Sequence, residues 1–153
     1  MFQAVPPWRA VLLAVVLAGI APLALAGERL NAKPGGVAVK GYDVVAYFTE
    51  GQPTPGDEQF VHRWQNVRWL FASAAHRDAF AAEPTRYAPR YGGFCAGAMT
   101  RGFRATIDPQ AFAIVDGKLY LAYSQDGIER FEADAESNVA VADDNWQRLG
   151  ITD

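Results

Sequence analysis

The chain carries one cysteine, two histidines and two methionines in 153 residues. A single thiol cannot close an internal disulfide, so Cys95 is buried and inert, paired with another chain, or used as a ligand. Basic residues are no more plentiful than acidic ones, 14 against 17, and a net charge of −3 gives no clustered basic face for nucleic acid. No phosphate loop, dinucleotide fingerprint or local hydrolase signature is present, which argues against an enzyme. The longest apolar run falls short of the roughly 20 residues that a spanning helix needs. No paired arginine precedes that run and no cysteine follows it, so neither twin-arginine export nor a lipid anchor is expected. No internal repeat and no low-complexity stretch is legible.

What is present begins with an export signal. Arg9 supplies positive charge, Ala10 to Ile20 is almost unbroken apolar sequence, and Ala24-Leu25-Ala26 offers a small-x-small cleavage site. Residues 1–26 therefore read as a signal peptide cut after Ala26, and the mature protein is expected in the periplasm or secreted. Residues 27–36 read as a flexible lead-in punctuated by Pro34-Gly35-Gly36, and 37–153 as a single domain.

Hydrophobic periodicity supplies the elements. Gly41 to Phe48 is too apolar for a loop and predicts a turn of helix or a short strand. Phe60–Trp64 and Val67–Phe71 alternate around Gln65-Asn66 as a hairpin. Ser73 caps a helix whose inward stripe is Ala75, Ala79 and Phe80, ended by Pro84. Asp116-Gly117 turns a second hairpin. Ile128 and Phe131 follow at helical spacing, and Val139, Ala142, Trp146 and Leu149 mark a last helix closed by Gly150. Two hairpins alternating with helices predict an α+β domain, a small antiparallel sheet with helices on one side.

Four ordered blocks carry a family likeness: Gly41 to Phe48 (GYDVVAYF), Trp69 to Phe80 (WLFASAAHRDAF), Glu83 to Ala96 (EPTRYAPRYGGFCA) and Ile114 to Leu121 (IVDGKLYL). In these the chain resembles the exported, single-domain YHS-domain proteins, and the likeness covers nearly all of the mature chain. It implies an α+β fold related to small heavy-metal-associated domains. Some relatives handle copper or mercury through cysteines, whose matching positions here look like Ala46, Ala72 and His76. Two are alanine, which cannot bind metal, so the likeness leaves His76 as the only able donor of the three.

The residues then offer two binding chemistries. Cys95, in Tyr91-Gly92-Gly93-Phe94-Cys95, could anchor copper or zinc, with His76 as the next donor, or could be a packed apolar side chain. Met99 would share a helical face with Cys95, and Asp43 could cap a turn, orient His76 or close a metal site. His62, on a hairpin strand with Phe60 and Trp64, reads as structural. Tyr42, Tyr47, Trp69, Tyr87, Tyr91 and Phe94 could wall a pocket for a flat ligand or simply form the core. The expectation is a non-enzymatic extracytoplasmic binding domain for a soft or borderline metal ion. The alternative is a module for a small organic ligand or protein partner in which Cys95 only packs.

Overall fold

The computed structural model describes residues 29–150; the expected signal peptide lies outside them. The architecture is α+β, with two antiparallel hairpins that stand as separate two-stranded sheets. In the first, β1 (Asp57–Trp64) pairs with β2 (Val67–Phe71). In the second, β3 (Asp108–Val115) pairs with β4 (Lys118–Ala122). Both turns need positive φ at their two central residues, and Gln65-Asn66 and Asp116-Gly117 supply it.

Gly41 to Phe48 resolves into a turn of helix, α1 (Ala46–Thr49). The Ser73 hydroxyl accepts from His76 N and starts α2 (Ala74–Ala82); Pro84 then opens the single turn α3 (Pro84–Tyr87). Another single turn, α4 (Ala96–Met99), follows Cys95. Ser124 caps α5 (Gln125–Ala133) by accepting from Gly127 N, and α6 (Ala135–Arg148) closes the domain. One detail of the expected α2 stripe is corrected. Ala75 is exposed, and His76 is the inward residue with Ala79 and Phe80, because the bond from His76 to buried Asp43 sets the rotation of the helix.

The fold also contains a repeat that the residue identities do not announce. Each half contains a tight turn of two left-handed residues (Val39-Lys40 and Tyr91-Gly92), one turn of α-helix, a hairpin, a serine-capped helix and a further helix. Ser73 and Ser124 share φ −151° and ψ near 160°. Glu83 and Asp134, which end the capped helices, share φ −139° and ψ near 60°. Both hairpins slip register at the same place, between Asp57 and Val61 in one and Asp108 and Phe112 in the other. Trp69 stacks on Phe80 at 4.9 Å, and their counterparts Tyr120 and Phe131 meet at 5.2 Å. Few identities survive between the halves, among them Gly41/Gly93, Leu70/Leu121, Ser73/Ser124 and Phe80/Phe131. The repeat therefore lives in backbone and burial pattern, which a reading of residue identities passes over.

One core runs through both halves, from Val44, Trp69 and Phe80 to Tyr120, Ile128 and Trp146. Each fully buried large apolar side chain contributes about 1.5–3 kcal/mol, so this core can hold a domain whose one cysteine makes no disulfide. Of the residues read as the lead-in, Leu30 is buried, and Asn31 donates from its backbone to Gly92 O at 2.8 Å and from its side chain to Gly93 O at 3.0 Å. A Cβ on Gly92 would lie 1.8 Å from Arg29 O, at a φ of +60°. Only glycine fits there.

Candidate functional site

Asp43 and Cys95 occupy equivalent positions, each just before the single turn of its half. Asp43 is fully buried, and its Oδ1 accepts from Val45 N (2.9 Å) and Ala46 N (3.2 Å). Its Oδ2 accepts from Ala72 N at 2.9 Å and lies 2.6 Å from His76 Nδ1. A carboxylate is acceptor-only, so the proton of that short bond sits on Nδ1. The other ring nitrogen lies 3.4 Å from Thr49 Oγ1 and 3.9 Å from Glu50 Oε1, and the imidazole is 17% exposed. Asp43 thus both caps α1 and orients His76. Together they tie α1, the end of β2 and α2 into one knot.

Cys95 repeats the scheme with sulfur. It is buried, and Sγ accepts from Ala98 N at 3.4 Å and from Tyr123 N at 3.3 Å. Ala98 and Tyr123 are the counterparts of Ala46 and Ala72, so the two backbone donors are conserved in kind between the halves. The fourth member differs, since Gly127 stands where the first half has His76. Where an imidazole covers Asp43, the second half has no side chain. A cleft of about 390 Å³ lies over Cys95 and Gly127 instead, walled by Phe103, Tyr123, Phe131, Ala105, Arg101 and Arg130. Phe103 and Tyr123 are 49% and 66% exposed, large apolar surfaces left in water on its rim.

Cys95 and His76 therefore each serve their own half, held by different partners, and the fold does not join them in a hydrogen-bonded site. No cluster of three or more His, Cys, Asp or Glu side chains suited to a metal ion forms among the described residues. Met99 is on the turn after Cys95 but is fully buried in the core. His62 sits edge-on to Phe80 at 5.9 Å, a packing role.

The aromatic set divides. Tyr47, Trp69 and Tyr91 are core, packed respectively on Phe112, on Trp64 and Phe80, and on Tyr120 and Trp146. Tyr87, also buried, meets Phe48 edge-on at 5.5 Å. Tyr42 and Phe94 are half-buried, Phe94 beneath the Arg104 guanidinium. None of the six lines the cleft over Cys95. The residues that line the cleft over Cys95, Phe103 and Tyr123 above all, were not singled out by the sequence. Their signal was the repeat, which sets Tyr123 and Gly127 against Ala72 and His76.

A second, smaller cavity of about 230 Å³ lies between the halves, lined by Trp64 and Thr85 from one and Arg90, Tyr91 and Trp146 from the other. Arg90 Nη2 donates to Asp143 at 3.1 Å, as does the Tyr91 hydroxyl at 2.9 Å. Burial acts to lower the Arg90 pKa, but the hydrogen bond and charge of Asp143 outweigh it and hold the guanidinium above its ordinary value. Burial first, then the bond to Asp143, pushes the Tyr91 phenol well above the usual tyrosine range.

Comparison of the chain with family models, with curated proteins and with solved structures finds no match.

Proposed function

We propose that this chain is an exported, YHS-like, non-enzymatic binding domain whose ligand is a small apolar or aromatic molecule seated in the cleft over Cys95. The observation that carries this reading is the contrast between halves. One anchor is covered by a histidine, and the other is left beneath an open cleft with exposed Phe103 and Tyr123 on its rim. The cleft's volume falls within the range of small-molecule sites, roughly 300–1,000 Å³.

The lining favours an organic ligand over a metal ion. Besides Cys95 it offers Thr100, Ser124 and Asn138 as polar groups, with two arginines and no histidine, carboxylate or methionine. Copper or zinc at Cys95 would find no second strong donor on these walls and would meet two positive charges. Cys95 accordingly serves as a packed, hydrogen-bonded floor. No helix among the described residues is long and apolar enough to cross a membrane.

The test is titration with the neutral fluorophore N-phenyl-1-naphthylamine, alongside copper and zinc. Saturable fluorophore binding that is lost in Gly127→His, where an imidazole would fill the cleft, supports the reading. Stoichiometric metal uptake abolished by Cys95→Ser, with no fluorophore binding, would replace it with the metal reading.

A further inference from the structure

The cavity between the two halves differs in chemistry from the cleft over Cys95. Its walls are the indoles of Trp64 and Trp146 and the ring of Tyr91, and its charged lining groups are Arg29 and Arg90, with no carboxylate among them. Asp143 engages Arg90 through Nη2, while the Nε of the same guanidinium is buried without an acceptor. The Arg90 guanidinium is part-exposed on the cavity wall, and an arginine's planar set of N–H groups is matched to a carboxylate. We infer that this cavity is a second binding site, for a small planar carboxylate of one aromatic ring, anchored by Arg90.

Size and position agree with the chemistry. A cavity of about 230 Å³ lies below the range of drug-sized pockets and suits a single ring. One wall comes from each half, Trp64 from the end of β1 and Trp146 from α6. Leu30 and Arg29 close it from the segment that Asn31 fastens to Gly92 and Gly93. The carboxylate would meet the exposed part of the Arg90 guanidinium, and the ring would lie against the indoles. Binding is reversible and no bond is made or broken.

The experiment is an NMR titration of the full chain with benzoate, benzyl alcohol and acetate, following the indole N–H and backbone amide signals. Benzoate is expected to shift Trp64 and Trp146 saturably, while benzyl alcohol (no charge) and acetate (no ring) bind at least about tenfold more weakly. Arg90→Lys keeps a positive charge but loses the planar set of N–H groups, and should weaken benzoate by about tenfold or more. Because Arg90 also holds Asp143, Thr85→Phe provides a second variant: it fills the cavity from its exposed rim, leaves the Arg90–Asp143 pair intact and should abolish binding. Gly127→His, which closes the other cleft, should leave benzoate affinity unchanged, so failure of one site does not imply failure of the other. Equal binding of benzyl alcohol, wild-type affinity in both Arg90→Lys and Thr85→Phe, or shifts confined to Phe103 and Tyr123 would each overturn the assignment.

Discussion

The Asp43 carboxylate and the Cys95 thiol hold the same place in two copies of one unit. Asp43 accepts from the backbone of Ala46 and Ala72, and Cys95 accepts from the equivalent Ala98 and Tyr123. What separates them is the fourth partner, His76 in one half and Gly127 in the other. Stability is therefore expected to concentrate at the first anchor and binding at the second.

Asp43→Asn places an amide where three backbone donors and an imidazole converge. One of its two ends must then point a donor at donors, so the variant should lose about 2–4 kcal/mol of stability. His76→Ala keeps the backbone bonds to Asp43 and should lose less, about 1–3 kcal/mol. Denaturant midpoints of both variants check the order; equal losses would show that the imidazole, rather than the backbone donors, carries the anchor.

Cys95→Ala removes the acceptor for two N–H groups, one of them buried, at an expected cost of about 1–3 kcal/mol, whereas Cys95→Ser retains an acceptor and should stay within about 1 kcal/mol of wild type. Thermal unfolding of the pair gives the comparison. If alanine is tolerated as well as serine, the sulfur is mere filling.

Gly92→Ala forces a methyl group into the Arg29 carbonyl at a left-handed φ. It should release residues 29–31 from their seat, seen as fast hydrogen exchange at Asn31 N, and cost more than the roughly 1 kcal/mol of an ordinary glycine substitution. Gly117→Ala, also at positive φ but in open space, is the control and should cost only the backbone strain.

The alkaline limit follows from two buried phenols. Burial, chiefly, raises Tyr47 and Tyr91 above the unfolded value of about 10, and their hydroxyls donate to Pro109 O and Asp143. A group whose folded pKa is raised contributes stability that is complete below its unfolded pKa and is lost as pH rises beyond it. Stability should therefore be insensitive to these groups through neutral pH and fall above about pH 10. Tyr47→Phe should lower stability at neutral pH by about 1 kcal/mol, through the lost hydrogen bond, and make the alkaline decline shallower. An unchanged alkaline slope would place the transition elsewhere.

Much of the fold was legible because short-range chemistry dictates it. Asp116-Gly117 could only be a tight turn, Ser73 and Ser124 precede helices they cap, and Pro84 breaks one. The rotation of α2 was not legible, since Ala75 and His76 are both plausible inward residues until the bond to Asp43 is known. Asp43 does bond to His76, and of the glycines around Cys95, Gly92 takes the close approach of the Arg29 backbone. The cleft itself depended on the contact of residues far apart in sequence, Cys95 with Tyr123 and Gly127, which local pattern does not encode.

The most direct test of the central claim is the rate at which an alkylating reagent modifies Cys95, measured with and without saturating N-phenyl-1-naphthylamine. An occupant of the cleft over the thiol should slow alkylation several-fold, and Gly127→His should slow it by itself and abolish any further effect of the fluorophore. Alkylation that proceeds at the same rate with the cleft loaded, empty or filled by histidine would contradict the account.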